Sequence, residues 1–399
     1  MGQWVRYMTC LSLVAAGLLE AETLHVSDTG QLRRALIGAG PGTTVLIEPG
    51  SYRGDLHIPD LAGTEQAPIL IAGADPQNPP VFKGGGQALH LAQCSYVILR
   101  NLTVEGCAAN GINIDDGGTF ATPAHHVIVE EVTIRRTGPQ GNHDALKMSG
   151  VDHFLVRRCR FEGWGGSAID MVGCHHGTVE DCTFIGLTGF SQSNAIQLKG
   201  GTRDVRVQTC LFQDAGQRAI NLGGSTGLAY FRPRVDSFEA KQIEIAGNRF
   251  VGGMAPVAWV TADGGRVYRN TIILPDKWVL RILQETQDPR FTPCRGGVFE
   301  DNLVVFDDRV RVFVNIGPGT APKTFVFRGN AWCDLQGRRQ PVLPTPETDG
   351  IYGCKVGSDA GRLTAGTVQL AQPIGRPLGA EGYVRRPHDR WGAPRVARD

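Results

Sequence analysis

A short pattern recurs nine times between residues 99 and 332, and it restricts the fold more than any other feature of the sequence. Each copy has an apolar residue, two mostly polar residues, a fourth residue, a variable residue and a last apolar or aromatic one, as in Val179-Glu-Asp-Cys-Thr-Phe184. The fourth positions are Leu102, Val132, Cys159, Cys182, Cys210, Asn248, Asn270, Asn302 and Asn330. They lie 22 to 38 residues apart, with three cysteines followed by four asparagines in one register.

Short strands and turns repeated at this spacing are typical of a parallel β-solenoid, in which each repeat is one coil. Stacked coils place equivalent residues about 4.8 Å apart. Buried asparagines at that distance can bond to each other and to the turn backbone, while buried cysteines act as small apolar residues. We therefore predict that the cysteine column is reduced and structural. The 53 glycines among 399 residues fit the many turns that the coils need.

Charge and hydropathy exclude two classes of protein. The chain has 40 Lys and Arg residues against 39 Asp and Glu, which argues against nucleic-acid binding through phosphate neutralisation. Arg6 precedes an apolar run over residues 8–19, which is too short to span a bilayer and is typical of a secretory signal peptide. We predict a signal peptide over residues 1–21 and a secreted or periplasmic protein, with no membrane insertion after its cleavage.

The first residues after the signal peptide carry a resemblance to a known family. A helix is predicted after the N-cap Asp28, and it would cover the first coil of a solenoid. PGTTVLIEPGSYRG follows at residues 41–54 and APILIAG at residues 67–73, before the coils with asparagine and cysteine columns. This succession resembles the right-handed parallel β-helix proteins, which include pectate lyases, chondroitinase B and alginate lyases.

The resemblance implies an all-β fold, in which residues 22–335 form a right-handed parallel β-helix that begins with an N-terminal capping helix. Residues 336–399 are predicted to form a C-terminal tail or cap that packs on the solenoid, because they are rich in proline, glycine and arginine without periodicity. The resemblance also implies a secreted protein that acts on carbohydrate, and we expect a monomer. It does not select a reaction, because the fold supports lyases, hydrolases, epimerases and inert repeats.

Five segments of alternating character predict one exposed face of the solenoid. Their second and fourth residues are apolar and should face the core, so their third and fifth residues should point outward. The first outward column is Asn113, Lys147, Asp170, Gln197 and Asn221, and the second is Asp115, Ser149, Val172, Lys199 and Gly223. Amides, lysines and a carboxylate in such columns predict a strip that binds saccharide.

Residues beside the strip complete the predicted site. His143, Asn194 and Arg218 precede strip segments, and a long insertion after Asn221 brings Tyr230 and Arg232 to the same rim. Trp259 is predicted to extend the strip and to stack on sugar. The predicted substrate-binding residues are Asn113, His143, Asp170, Asn194, Gln197, Asn221, Tyr230 and Trp259.

For an anionic polysaccharide, the predicted reaction is β-elimination at a uronic acid. The proton that is lost lies α to a carboxylate, so the charge of the enolate must be neutralised. Arg218 and Arg232 are the candidates for this clamp, because a guanidinium binds a carboxylate bidentately. Lys199, or alternatively Lys147, is the candidate general base. Asp170 argues against Lys147, since it lies one coil away and can pair with it.

Other functions stay open at this stage. A glycoside hydrolase or an epimerase could use the same fold, and Asp115-Asp116-Gly-Gly118 resembles part of the polygalacturonase pattern, although the other motifs of that family are absent. A non-catalytic carbohydrate-binding or cell-surface protein is the alternative from another class.

Bound metals are the second open question. The cofactor is unknown, and Ca²⁺ is allowed by Asp115, Asp116, Asp144 and Asp170 without a defined ligand set. A further column is predicted to form a stack of rings and not a metal site: Tyr96, His126, His153 and His176.

Overall fold

The structure, a computed structural model, describes residues 22–354 and 379–395 and the backbone of residues 356–357 and 369–370. The predicted signal peptide lies outside the described residues. Three long parallel sheets are wound by one chain that visits sheet 1, sheet 2 and sheet 3 in turn. The predicted all-β parallel β-helix is confirmed.

Sheet 1 has fourteen strands among the described residues. Its last strand lies after residue 335, the predicted end of the solenoid domain. Its strands are Thr23–Val26, Thr44–Ile47, Ile69–Gly73, Ser95–Arg100, Ala124–Glu130, Val151–Arg157, His175–Glu180, Thr202–Gln208, Ala240–Ala246, Ala262–Asp263, Arg266–Tyr268, Val298–Glu300, Val326–Arg328 and Glu347–Thr348.

Sheet 2 has twelve strands in the described part of the chain, all of three or four residues except the last. Its strands are Ser51–Arg53, Val81–Lys83, Thr103–Glu105, Thr133–Arg135, Arg160–Glu162, Thr183–Ile185, Leu211–Gln213, Arg249–Val251, Thr271–Ile273, Leu303–Phe306, Ala331–Asp334 and Ile351–Tyr352.

Sheet 3 has ten strands within the described ranges and carries the predicted strip. Its strands are Leu56–Pro59, Leu89–Ala92, Ile112–Asp115, Leu146–Ser149, Ser167–Val172, Asn194–Lys199, Arg218–Gly223, Val257–Val260, Leu280–Leu283 and Val314–Ile316. Outside the three sheets, Val356–Gly357 pairs antiparallel with Gln369–Leu370, and short 3-10 helices cover Leu228–Tyr230, Pro322–Thr324 and Ala380–Gly382.

The N-terminal helix, α1, spans Thr29–Gly38. The carboxylate of Asp28 accepts a hydrogen bond from the Gln31 amide at 2.8 Å, which confirms Asp28 as N-cap. Leu32 and Leu36 are buried in the core, and the helix contacts the first strands of sheets 1 and 3. Its role as a cap of the first coil remains a prediction.

The asparagine and cysteine columns lie inside the solenoid, in the predicted register. The Asn248 amide donates to the Asn270 side chain at 3.0 Å, and Asn270 donates in the same way to Asn302 and Asn302 to Asn330. Cys159, Cys182 and Cys210 are buried and unpaired, as predicted, and burial raises the pKa of Cys182. The disulfide Cys333–Cys354, which lies outside this column, was not predicted.

Residues 379–395, the second described part of the C-terminal tail, lie against the outer face of sheet 1. Trp391 packs on Ile98, Ile128 and Leu155, and the Thr178 hydroxyl donates to the Gly392 carbonyl at 2.6 Å. None of the described residues belongs to a helix with the length and apolar character that a membrane span requires.

Candidate functional site

The first outward column lies on sheet 3 in the predicted register. Asn113 pairs with Lys147, Lys147 with Asp170, Asp170 with Gln197, and Gln197 with Asn221. The column is longer than predicted, since it begins two coils earlier and ends three coils later. The added residues are His57, His90, Ala258, Arg281 and Asn315.

Trp259 does not belong to this column, and its prediction as a substrate-binding residue is wrong. Ala258 is the partner of Asn221, while Trp259 pairs with Leu222 on the inward side. A shift of one residue along a strand moves a side chain to the opposite face. Trp259 is fully buried, with its ring edge-on to Phe325 at 5.5 Å.

Three predicted binding residues lie beneath the surface and act through their neighbours. Asn221 is fully buried, donates to the Gly223 carbonyl at 3.1 Å and accepts from Arg218 at 3.4 Å. Asn194 is buried and donates to Gln197 at 3.4 Å, and Asp170 is covered by its ion-pair partners. The predicted contacts of Asn221, Asn194 and Asp170 with substrate are therefore corrected, because buried side chains cannot reach it.

Two carboxylates and two lysines form a chain of charges under the strip. Lys147 Nζ lies 2.9 Å from Asp144 Oδ2 and 2.7 Å from Asp170 Oδ2, and Lys199 Nζ lies 3.1 Å from Asp170 Oδ1. Both carboxylates are fully buried, whereas the Lys147 side chain is one-quarter exposed. Lys199 also donates to Gln197 at 3.2 Å. The exposed edge of this chain is therefore cationic.

The carboxylates decide the protonation state of Lys147. Burial alone would lower the pKa of Lys147, but the charges of Asp170 and Asp144 outweigh it and raise this pKa above its ordinary value. Burial raises the pKa of Asp170, and the two ammonium groups reverse this and lower it. Burial and the Asp170 charge raise the pKa of Asp144. Lys147 does not suit the role of general base, because the two carboxylates favour its protonated form.

A cleft of about 780 Å³ opens over the N-terminal half of the column. His57, His90, Asn113, Asp115 and Lys147 contribute to its lining. His90 Nε2 lies 2.6 Å from Asp115 Oδ2, and the His57 and His90 rings stack at 4.6 Å. Burial would raise the pKa of Asp115, but the hydrogen bond from His90 is among the contacts that lower it overall. His90 and Lys147 are two coils apart in one column, about 10 Å.

The insertion that follows sheet-3 strand Arg218–Gly223 forms one rim of the cleft. Arg232 Nε donates to Asp116 Oδ2 at 2.7 Å, and its guanidinium lies 4.2 Å above the Phe120 ring. The backbone approaches closely, because a Cβ on Gly173 would lie 2.4 Å from Arg232 Cβ. Arg232 thus reaches the cleft from an insertion that starts four coils away.

Arg218 and Arg232 do not form the single clamp that was predicted. Arg218 pairs with Glu285 at 2.7 Å and lies four coils, about 19 Å, from the Ile112–Asp115 strand. The two arginines are separated along the solenoid axis, because Arg218 stays on its own coil while the insertion carries Arg232 back to Asp116. Arg232 alone belongs to the cleft.

Two further predicted residues do not line the cleft. Tyr230 is exposed, and its carbonyl accepts from Arg232 Nη1 at 2.7 Å. His143 is partly buried beside Gly138, where a Cβ would lie 2.3 Å from its ring. The structure thus brings together Asn113, Lys147 and Arg232 from the predicted set and adds His90 and Asp115.

The four carboxylates that the sequence allowed as calcium ligands, Asp115, Asp116, Asp144 and Asp170, are engaged by other side chains. Asp115 faces His90, and Asp116 faces Arg232. Asp144 and Asp170 share Lys147. Each candidate ligand is thus occupied by a cationic or imidazole partner, and the described residues contain no group of three His, Cys, Asp or Glu suited to a metal ion. The four residues do not fit a calcium site.

Comparisons with known proteins agree with the fold. No curated protein matches the sequence, and a family model for a right-handed β-helix region matches residues 87–272. The catalytic unit of the GH87 α-1,3-glucanase from Streptomyces thermodiastaticus is similar at a TM-score of 0.54 and 16% identity, over 87% of this chain and 71% of that one. The PL6 family polysaccharide lyase from Pseudopedobacter saltans is similar at 0.51 and 13%, over 90% and 98%.

The chain folds as a right-handed parallel β-helix, as the resemblance of its sequence implied. At these identities the likeness shows the fold alone. One of the two similar structures is a hydrolase and the other a lyase, so the choice of reaction depends on the cleft itself.

Proposed function

We propose that the protein cleaves an acidic polysaccharide by β-elimination at a uronic acid bound in the cleft. The observation that carries this proposal is the combination of a histidine–carboxylate pair with an ammonium that is held charged, on strands two coils, about 10 Å, apart in one column. Elimination needs a base for the proton and a cation for the carboxylate beside it. His90 and Lys147 supply these two groups.

Each residue of the cleft has a distinct part in this reaction. Lys147 neutralises the uronate carboxylate, and Asp115 holds His90 through Nε2, which leaves Nδ1 to take the proton α to the carboxylate. The carbon–carbon double bond forms as the glycosidic carbon–oxygen bond breaks. The leaving oxygen then takes a proton from the imidazolium that has formed. Arg232, which is held by Asp116 and the Tyr230 carbonyl, shapes the rim of the cleft.

Hydrolysis is a weaker candidate at this site. It needs two carboxyl groups on opposite sides of the scissile bond, one of them protonated. Asp144, whose pKa is raised, is fully buried behind Lys147, and the hydrogen bond from His90 is among the contacts that hold the pKa of Asp115 below its ordinary value. The base assignment replaces Lys199, which the sequence favoured, because its ammonium forms an ion pair with Asp170.

The test is a product assay on purified protein. Pectate, alginate and glycosaminoglycans are incubated separately, and the ultraviolet absorbance of an unsaturated uronide is followed together with new reducing ends. Elimination predicts that both appear on at least one substrate. Reducing ends without absorbance would indicate hydrolysis, a changed uronate configuration without cleavage would indicate epimerisation, and binding alone would indicate a non-catalytic protein.

Substitution of His90 sharpens this test. His90→Gln should lower kcat by about 10²-fold to 10⁴-fold, because it removes the base and keeps a polar side chain of similar size. The control is His25→Gln, since His25 forms a similar pair with Glu48 at 2.8 Å on another surface. Retained turnover in His90→Gln with loss in Lys199→Ala would return the base to Lys199.

The proposed domain organisation and export belong to the same proposal. Residues 22–335 would fold as the solenoid with residues 336–399 packed on it, and residues 1–21 would direct secretion to the compartment where such polysaccharides occur. Expression with and without residues 1–21, followed by cell fractionation, tests the export. Equal retention of both forms inside the cell would refute it.

A further inference from the structure

The far end of the first outward column contains an arginine without a carboxylate partner. Arg281 is partly buried, its guanidinium lies 4.4 Å over the Trp278 ring, and its Nε donates to Asn315 at 3.0 Å. It forms no ion pair with any residue in the described part of the chain. Its two terminal nitrogens therefore keep their hydrogen-bonding capacity.

Other partly or largely buried arginines of this protein are paired. Arg157 contacts Glu130 at 2.6 Å and Arg206 contacts Glu244 at 2.8 Å. A guanidinium that has lost part of its hydration is costly unless an anion replaces the water. Arg281 is an exception that calls for an external anion.

The surroundings of Arg281 add positive charge. Arg218 begins the strand that contains Asn221, two coils from Arg281. Burial and the charge of Arg218 lower the pKa of Arg281. Lys277 Nζ lies 4.3 Å from the centre of the Trp278 ring. The charge of Glu285 acts on the pKa of Arg281 in the opposite direction, and Glu285 forms an ion pair with Arg218 at 2.7 Å. In the column, Ala258 lies between Asn221 and Arg281.

We propose that Arg281, beside the Arg218–Glu285 ion pair, forms a distal subsite that binds a uronate carboxylate of the same acidic polysaccharide. Five coils separate Lys147 from Arg281 in one column, a distance of about 24 Å. Only a chain of several sugar units can contact both places at once. This inference rests on the proposed function for the identity of the ligand and extends it by assigning a direction along the column and a minimum substrate length.

The test measures binding as a function of chain length. Oligogalacturonates and oligomannuronates, from dimers to chains that exceed about 24 Å, are titrated into the His90→Gln protein by calorimetry, with a neutral glucan series in parallel. Affinity should rise once the chain spans both sites. Arg281→Gln should remove about a tenfold part of that rise, which is the size expected for a hydrogen bond to a charged group, and leave dimer binding unchanged.

Two other variants keep the outcome interpretable. Arg281→Lys should restore part of the affinity, because it keeps the charge without the planar donor pair. Arg290→Gln is the matched control, since Arg290 is an exposed arginine that already pairs with Asp288 at 2.8 Å and should bind all lengths normally. An equal length dependence in Arg281→Gln and Arg290→Gln would overturn the subsite, as would equal affinity for the neutral glucan.

The outcomes also separate this inference from the proposed reaction. If no substrate is cleaved but the long acidic chains lose affinity in Arg281→Gln, the elimination is refuted and the subsite is supported. If elimination occurs and kcat/KM for long and short chains falls equally or not at all in Arg281→Gln, the reaction is supported and the subsite is refuted.

Discussion

The outer faces of sheets 1 and 3 belong to the same coils and differ in what covers them. On sheet 1 the outward residues Ile98, Ile128 and Leu155 are apolar and lie under Trp391 of the tail. On sheet 3 the outward residues are polar, and a cleft of about 780 Å³ lies over them. The alternation of the strands is the same on both faces, so the outward residues distinguish the apolar part of sheet 1 that the tail covers from the polar part of sheet 3 that borders the cleft. Farther along sheet 1, the outward residues Arg206, Glu244 and Arg266 line a second cleft of about 770 Å³.

Charges are also used differently on the two faces. On sheet 1, Glu130 is buried and accepts from Arg100, Arg157 and Arg158, so its charge is fully satisfied. On sheet 3, two buried carboxylates hold Lys147, whose side chain is one-quarter exposed and lines the cleft. An ion-pair network in which every charge has a partner stabilises the surface. A network that leaves a charged side chain exposed in a cleft can also bind a ligand.

The largest expected effect comes from removing that presented charge. Lys147→Met should destabilise the protein by about 3 kcal/mol, because it leaves buried carboxylates without their cation, and it should abolish cleavage. Urea unfolding and the product assay measure the two effects. Lys241→Met is the control, because Lys241 pairs with Asp263 at the surface and should cost less than about 1 kcal/mol.

A Lys147→Met variant with unchanged activity would contradict the proposed difference between the charge networks of sheets 1 and 3. If Lys147→Met kept full activity at an unchanged stability, the charge chain under sheet 3 would be another closed network like that of Glu130. If activity fell while stability stayed the same, the ion pairs would have little energetic weight and the charge of Lys147 alone would matter.

The fold and the register of the columns could be predicted because both depend on short-range periodicity. Alternation assigns inward and outward residues, and the repeat stacks them, so the order from Asn113 to Asn221 is correct. The same rule would have found His90, since Ala88-Leu-His-Leu-Ala92 has the alternation of the later segments. Trp259 was misplaced because residues 256–260 are all apolar and show no alternation.

The features that were missed depend on segments outside this periodicity. The path of the insertion that returns Arg232 to Asp116 is set by close contacts at glycine turns, which no spacing reveals. The Cys333–Cys354 disulfide joins residues outside the cysteine column, and cysteine spacing alone cannot give a pairing. The columns of the site could therefore be predicted from the repeat, whereas the contribution of the irregular insertion could not.

Trp391 tests the assignment of sheet 1 as a packing face. Trp391→Ala should cost about 3 kcal/mol, because it removes a buried aromatic side chain from the apolar column, and it should expose the tail to limited proteolysis. Val384→Ala, at an exposed position of the same tail, is the control. Cleavage by the remaining folded protein should be unchanged, and a parallel loss of kcat would show that the two faces are coupled.

The smallest expected effect is a pH dependence of stability at the histidine stack. The Tyr96, His126, His153 and His176 rings stack as predicted, with His126 and His153 4.7 Å apart. Burial and the charges of His153 and His125 lower the pKa of His126 to about 4, while Asp389 and Asp152 only partly oppose them.

A lowered histidine pKa means that the unfolded chain binds the proton more tightly than the folded one. Stability from His126 is therefore complete above the ordinary pKa of about 6.5 and is lost as pH falls from there towards about 4. His126→Asn should flatten this part of the curve of Tm against pH, since asparagine does not titrate and accepts the left-handed backbone at φ 56°. His25→Asn, at an exposed position, should leave the slope unchanged. An equal slope in both variants would mean that protonation of His126 does not cause the loss of stability in acid.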